Sequence, residues 1–315
     1  MDTQIFSLES HDFVELEEAL SAWDHQYQQI SPGTFYGRFL HTQNDVLGVY
    51  RNRWERAIHY RGAPKGVIMF AVTLTQTSEA LWMGQRVGVD DMCVQRCGAE
   101  AEYFSAPLWD SVVFTIPEAE LARQIIDITH DDPGTLLHTH GVVHLTPQLA
   151  TQVRQAALNY IDTAVRSVAT PDAPSPLPQM AKSTVELMAR VLVSAQPQRH
   201  VKASLNQSRQ WVHKVEEFCG QHPNQPLRIG QLCRELGVSE RTLRDAFYTL
   251  TDTSPLAYLK TQRLNQVHRE LRDSDPSEVL IKQHAYGNGF YHLGHFCREY
   301  KQLFGESASE TIKRY

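Results

Sequence analysis

The chain has 315 residues, 42% of them hydrophobic and 21% charged, and a formal net charge of −6 at pH 7. This composition excludes a disordered, collagenous or disulfide-scaffold protein and is typical of a globular chain of about two domains. No apolar run approaches the ~20 residues that a membrane helix needs, and the first residues lack the features of a secretory signal. Five scattered cysteines without a CxxC pair indicate reduced thiols. We therefore expect a cytoplasmic protein.

The first predicted element is an amphipathic helix within residues 11–30. Its apolar side chains recur at helical spacing: Phe13, Leu16, Leu20, Trp23 and Tyr27. From residue 35 to about 117, short segments rich in β-branched and aromatic residues alternate with turn-forming pairs such as Asn44–Asp45. Several short strands at such spacing predict an antiparallel sandwich or barrel.

Two helices are predicted after the strands. Thr146–Pro147 is a helix start that opens residues 147–168, and a proline-rich break at 170–178 separates this helix from a second one at 179–195. The second helix has an apolar stripe: Val185, Met188, Ala189, Leu192 and Val193. Such a stripe packs against its own domain or forms a dimer interface. The polar segment 195–206 is interpreted as the interdomain linker.

The carboxyl-terminal third contains two helix-turn-helix patterns. In the first, residues 229–236 and 240–250 are helices, Gly237 supplies positive φ at the turn, and Ser239 caps the second helix. Inward positions are apolar (Leu232, Leu236, Leu243 and Phe247), and outward positions are charged (Glu240, Arg241, Arg244 and Asp245). Such a second helix is the one that meets base edges.

The second pattern spans residues 277–290 and 291–305, with its turn at Gly287 and Gly289. Its predicted buried face is Ile281, Ala285, Phe290, Phe296, Tyr300 and Leu303, and its predicted outward face is His292, His295 and Arg298. Between the two patterns, Ser254 and Pro255 start one uninterrupted helix to residue 271, about 25 Å long at 1.5 Å per residue. Because neighbouring major-groove faces are about 34 Å apart, this spacer predicts two helices that read adjacent grooves of one duplex.

Together, these segments resemble the double helix-turn-helix domain of the AraC/XylS family of bacterial transcription regulators. The resemblance covers about the last hundred residues and implies DNA reading by Arg241, Arg244, Asp245, His292, His295 and Arg298. It implies structural roles for Gly237, Ser239, Leu243, Phe247, Gly289, Phe290 and Phe296. Four residues depart from the family pattern: Asp245, Asp252, His284 and Ala308. Asp245 stands where a basic or amide residue is frequent in the family. The departures at the other three positions affect side-chain packing and strain in the turns.

The amino-terminal region resembles a narrower group. Residues 20–39 are similar to the effector-side domain of the ethanolamine operon regulator branch, which implies a small-molecule sensor without fixing the ligand. Aromatic residues concentrate in this domain: Trp23, Trp54, Trp82, Trp109, Tyr27, Tyr36, Tyr50 and Tyr60. Most such residues are core, but an aromatic cavity would hold a small amine or alcohol. The effector-binding residues stay unassigned.

Three other interpretations are weighed against simpler ones. Asp245 either accepts from cytosine or pairs with Arg241 one turn away, and the intrahelical pair is favoured. His138, His140 and His144 have the spacing of a metal site, but no carboxylate at a convincing spacing completes it, so a polar strand end is favoured. Cys93 and Cys97 are interpreted as small core residues rather than ligands.

The sequence thus predicts a multidomain α and β protein. Residues 1–200 form an effector-binding and dimerisation domain, β-rich over 30–145 with helices over 147–195, and residues 201–315 form an all-α DNA-binding domain. We expect a transcription regulator rather than an enzyme, an activator of a catabolic operon without metal or cofactor. Its expected partners are double-stranded DNA, a small effector, RNA polymerase and a second copy of the chain. The alternatives are a metal-dependent β-barrel enzyme with a DNA-binding tail and a sequence-independent architectural DNA binder.

Overall fold

The structure is a computed structural model that describes residues 3–19, 24–74, 80–169, 175–194, 203–275 and 280–315. The chain divides into two compact units. The first comprises Met1–Tyr27 and Tyr36–Arg199, and the second comprises Gln28–Phe35 and His200–Tyr315. No sequence pattern indicated that Gln28–Phe35 groups with the carboxyl-terminal unit.

The predicted β-rich domain is present as two sheets of seven and five strands. The large sheet has the order β1-β3-β4-β11-β6-β9-β12 and the small sheet β2-β5-β10-β7-β8. The strands are β1 Gln4–Ser10, β2 Asp24–Gln29, β3 Gly37–Gln43, β4 Gly48–Trp54, β5 Ile58–Ala63, β6 Val67–Thr73, β7 Leu81–Trp82, β8 Gln85–Arg86, β9 Asp91–Gln95, β10 Ala101–Phe104, β11 Trp109–Pro117 and β12 Gly141–His144.

Helices pack on one face of the large sheet: α2 Glu118–Thr129, α3 Gly134–Leu137, α4 Pro147–Ala169 and α5 Leu177–Ser194. The short helix α1 Phe13–Glu18 lies against β1 and β3. Val49, Phe114 and Leu192 belong to one continuous hydrophobic core that also takes in the apolar face of α4. Four of the five predicted stripe residues of α5 are buried in this core, and Val193 alone of the five is exposed. The stripe therefore packs within its own domain and is not open to a second copy of the chain.

The helix predicted within residues 11–30 is wrong beyond its first turns. Asp12 caps α1 by accepting from the Val14 N–H, and this helix ends at Glu18. Tyr27 lies on strand β2, while Leu20 and Trp23 fall outside the described residues. A spacing of four residues keeps side chains on one face of a helix and also on one face of a strand, so the pattern did not separate the two.

The second unit is helical in its long carboxyl-terminal part. Its helices are α6 Ala203–Gln221, α7 Ile229–Leu236, α8 Glu240–Thr251, α9 Pro255–Arg272, α10 Ile281–Gly287, α11 Leu293–Phe304 and α12 Ala308–Arg314. Residues 203–206 of the predicted linker belong to α6, and residues 195–202 fall outside the described part of the chain. Among the described helices, none combines the length and apolarity needed to cross a membrane.

The segment Gln28–Phe35, named here the clasp segment, is bound to two of these helices. Asn265 on α9 accepts from the Gln29 backbone N–H and donates to the Gln29 carbonyl, both at 2.9 Å. The Gln29 side chain donates to the carbonyl of Leu303 on α11 at 2.5 Å, and the Gly33 N–H donates to the same carbonyl at 3.0 Å. The clasp segment thus ties the spacer helix to the end of α11.

Candidate nucleic-acid interface and cavity

The first helix-turn-helix turn is built as the sequence indicates. Gly237 ends α7 in the left-handed region with φ 63°. The Ser239 side chain accepts from the Thr242 N–H at 3.1 Å, so α8 starts at Glu240 with one of its free amides satisfied.

Helix α8 buries its apolar face and exposes its charged one. Leu243 and Phe247 are fully buried, whereas Arg241, Arg244 and Asp245 are exposed. Arg241 lies 3.7 Å from Asp245, the intrahelical pair that the sequence favoured. Arg244 forms a second pair with Glu240 at 2.6 Å. This second pair was missed, although a Glu four residues before an Arg is a signal for it.

The second turn uses Gly289, which has φ 80°. A Cβ there would lie 2.4 Å from Nη1 of Arg263, so a larger residue would require that side chain to move. Phe290 is half-buried, and its ring centroid lies 5.3 Å from that of the fully buried Phe296. Of the predicted buried face, Ile281 is likewise only half-buried.

Helix α11 presents the predicted outward residues. His292, His295 and Arg298 are all exposed. The His292 and His295 ring centroids lie 6.0 Å apart, and Nη2 of Arg298 lies 3.2 Å from Nδ1 of His295. His292 directly precedes α11, and His295 and Arg298 lie in its first half, so the structure places these three polar side chains near one another on an exposed part of the helix.

The spacer helix α9 begins where predicted, with Ser254 accepting from the Ala257 N–H at 3.3 Å. Its 18 residues span about 27 Å at 1.5 Å per residue. Lys260 on α9 pairs with Glu299 on α11 at 3.0 Å. Deeper in the unit, the Tyr300 hydroxyl lies 2.8 Å from Nδ1 of His268 on α9. These two contacts fix α11 against the spacer.

The residues that depart from the family pattern are accommodated locally. Asp252 ends α8 with φ 53°, a left-handed conformation that glycine adopts without strain. His284 lies 2.9 Å from Oε2 of Glu270, so a polar contact replaces the usual aliphatic packing. Ala308 starts α12, which a capping box of Ser307 and Glu310 holds at its beginning.

Two of the three histidines considered for a metal site make other contacts. His144 hydrogen-bonds through Nδ1 to Asp91 at 2.9 Å, and Nδ1 of His138, which follows α3, contacts the carbonyl of Gly134 at the start of that helix. Within the described residues, no group of three or more His, Cys, Asp or Glu side chains could hold a metal ion. Cys93 is buried, which raises the pKa of its thiol, and Cys97 is a half-buried free thiol.

The first unit encloses an aromatic cavity with about 670 Å³ of empty space, mouth included. Six of the aromatic residues that the sequence singled out line it: Tyr27, Tyr50, Trp54, Tyr60, Trp82 and Trp109. Tyr36 does not line it, because its hydroxyl bonds to Glu9 at 3.0 Å, and Trp23 falls outside the described residues. Burial raises the pKa of Tyr27, Tyr50 and Tyr60, so these hydroxyls stay neutral.

A row of polar side chains crosses the cavity wall. Asn52 on β4 pairs in register with Ser111 on β11, and Ser111 pairs with Thr73 on β6. All three line the cavity. Two residues farther along the same strands from Asn52 and Ser111, Trp54 on β4 pairs with Trp109 on β11. Because side chains alternate between sheet faces, residues two apart on β4 and β11 share the cavity face.

Comparisons with known proteins agree with the carboxyl-terminal geometry. The family model described as "Helix-turn-helix domain" matches residues 232–314. The probable thc operon regulatory protein of Rhodococcus erythropolis is 35% identical over 102 residues, 32% of this chain and 31% of that protein. The XylDLEGF operon transcriptional activator 3 of Pseudomonas putida is 27% identical over 101 residues, 32% of this chain and 30% of that protein. The chain thus spans about a third of the length of the curated relatives it matches.

Two solved structures to which the chain is similar are also described as transcription regulators. A probable AraC family transcriptional regulator from Rhodopseudomonas palustris is 36% identical, with a TM-score of 0.30 over 33% of this chain and 96% of that one. The AraC-like transcriptional activator CuxR is 13% identical, with a TM-score of 0.44 over 85% of this chain and 96% of that one. The family model thus assigns residues 232–314 of this chain to a helix-turn-helix domain.

Proposed function

We propose that the chain is a sequence-specific transcription regulator that activates a catabolic operon in response to a small effector. The observation that carries this proposal is the pair of amphipathic helices α8 and α11, joined through one unbroken spacer and exposing Arg241, Arg244 and Arg298. The names of the curated relatives, an operon regulator and an operon activator, support it over this region.

Base reading by α8 requires an exchange of partners. Arg244 would leave Glu240 and form a bidentate pair with guanine, which discriminates against the wrong base by about 1–3 kcal/mol. The cost of the exchange is small, because exposed ion pairs contribute about 0–1 kcal/mol. The ion pair between Arg241 and Asp245 would be broken in the same way.

Helix α11 would contribute polar contacts of a different kind. A neutral imidazole donates to a phosphate or a base edge without the desolvation cost of a full charge, so His292 and His295 suit either contact. Activation would further require a contact with RNA polymerase, and a second copy of the chain would have to use a surface other than the buried α5 stripe.

The effector would bind in the aromatic cavity. It can shift DNA occupancy only through a difference in its affinity for two states of the protein. Membership of the ethanolamine regulator branch remains a proposal, and the cavity does not favour it. Among the described lining residues there is no carboxylate to pair with an ammonium group.

The test is selection of binding sites from random duplexes with the full chain. Two conserved blocks about one helical turn apart are expected, and each should contribute to affinity. Arg244→Ala should relax the preference at particular base pairs, whereas Arg234→Ala, an exposed arginine on α7, should leave every preference unchanged. Equal affinity for selected and random duplexes would instead indicate an architectural DNA binder.

A further inference from the structure

We propose that the aromatic cavity binds an uncharged, compact aromatic molecule whose single head group both donates and accepts hydrogen bonds, such as an aryl carboxamide. This inference rests on the proposed function only for its biological meaning, because binding to the cavity can be measured without DNA. It assigns a ligand class to the cavity and a head-group contact to Asn52.

The lining of the cavity carries no formal charge among its described residues. None of the described residues that line the cavity is Asp, Glu, Lys, Arg or His. The tyrosines that line it are held neutral, since burial raises the pKa of Tyr27 and Tyr60. Burying an ionised group without a partner is far more costly than burying a hydrogen-bonded neutral one. A carboxylate or an ammonium ligand would therefore lose its hydration without compensation.

Some buried polar groups of the cavity lining have a hydrogen-bond partner and others have none. Nε1 of Trp54 donates to the Ser105 hydroxyl at 2.9 Å. In contrast, Nε1 of Trp82, Nε1 of Trp109, Oδ1 of Asn52 and the hydroxyl of Tyr60 are buried and have no partner within the described structure. Buried indole N–H groups usually have one. Two unmet donors, one unmet acceptor and one unmet hydroxyl among the lining residues match a ligand that carries an acceptor and a donor together.

The shape of the cavity suits a flat ligand, and its unmet donors do not suit a quaternary ammonium ion. Aromatic side chains from both sheets line the cavity, among them Trp82 of the small sheet and Tyr50 of the large one, so a flat apolar body can pack between rings. Aromatic cages also hold quaternary ammonium ions. However, the unmet indole N–H groups can only donate, and a quaternary ammonium has nothing to accept with.

The experiment uses a matched series of small benzene derivatives on the full chain. Binding of benzamide, benzyl alcohol, benzoate, benzylammonium and phenyltrimethylammonium is measured at pH 7 by calorimetry and by quenching of the cavity tryptophans. Benzamide is expected to bind at least tenfold more tightly than each of the three ions. Equal or tighter binding of any ion, or no binding by both neutral probes, would overturn the proposal.

Asn52 variants separate a ligand contact from a structural role. Asn52→Leu should weaken benzamide at least tenfold without lowering the melting temperature of the free protein, because the lost Oδ1 had no partner. Asn52→Asp should shift the preference towards benzylammonium. Arg53→Gln, one residue along β4 on the opposite face, is the control and should change neither affinity.

These outcomes are distinct from those that decide the proposed function. DNA binding to a selected duplex is measured on the same preparations without any probe. Loss of the benzamide preference with sequence-specific DNA binding intact overturns the ligand class alone. Absence of sequence-specific DNA binding overturns the regulator proposal and leaves the cavity result standing.

Discussion

Replacing Asn265 with alanine should release the clasp segment from α9. Asn265 and Gln29 are both about 1% exposed. Their two bonds, each 2.9 Å, satisfy the N–H and the carbonyl of Gln29 at once. Asn265→Ala removes both partners, and each buried backbone group left unsatisfied costs about 1–3 kcal/mol. We therefore expect the local stability of the second unit to fall by about 2–6 kcal/mol.

Hydrogen exchange of the full chain, followed by mass spectrometry, measures this loss where it occurs. A loss of about 2–6 kcal/mol corresponds to roughly 30- to 20,000-fold faster exchange, at 1.4 kcal/mol per factor of ten. The acceleration should appear in peptides that cover Gln28–Phe35 and the end of α11. Peptides of the large sheet should exchange as before.

Two further variants make the result decisive. Gln266→Ala, the next residue on α9, removes only an exposed bond to Glu270 and should leave exchange unchanged. Gly305→Ala would place a Cβ 2.5 Å from the Thr34 backbone nitrogen, so it should accelerate the same peptides by a different route. If Asn265→Ala exchanges no faster than Gln266→Ala, the clasp segment does not depend on these bonds.

Three other substitutions test local features. Hydrogen bonds and charges from His59 and Arg61 outweigh the effect of burial and hold the pKa of Glu102 at about 2. Because this value is below the ~4.3 of an unfolded Glu, the stabilisation is complete above about pH 4.5 and is lost as the pH falls towards 2. Glu102→Gln should flatten that part of the urea-unfolding profile, and an unchanged profile would contradict the assignment. Ser239→Ala should lower the stability of the second unit by about 1 kcal/mol in denaturant titrations, and no change would mean that the cap is not needed. Asp252→Gly should raise the melting temperature slightly by relieving the left-handed strain, and a clear decrease would refute that strain.

The helix-turn-helix units were predictable because their signals are local. A glycine at a left-handed position, a serine cap and apolar residues at helical spacing all lie within a few positions of the structure they specify. Gly237 has the predicted left-handed conformation, and Ser239 and Ser254 cap the helices that they were predicted to cap. The strands within residues 35–117 were predictable for the same reason, because β-branched and aromatic residues and the turn-forming pairs between them are local signals.

Other features depend on contacts that no local pattern records. Gln29 and Asn265 are 236 positions apart, and neither residue type at its position suggests the other. The aromatic cavity was only partly foreseen, because composition marks the aromatic residues while strand register decides which of them face inward. Tyr50, Asn52 and Trp54 alternate on β4 towards the cavity, whereas Tyr36 bonds to Glu9 elsewhere.

The carboxylates on α8 also affect how its DNA binding would respond to ionic strength. Salt dependence normally counts phosphates, because each neutralised phosphate releases a condensed counterion. On α8, Arg241 and Arg244 already hold Asp245 and Glu240 as internal counter-charges. When such an arginine turns to a phosphate, its former carboxylate is freed and attracts a cation from solution. The net release per contact is then smaller, so a salt titration would under-count the phosphates that this helix touches.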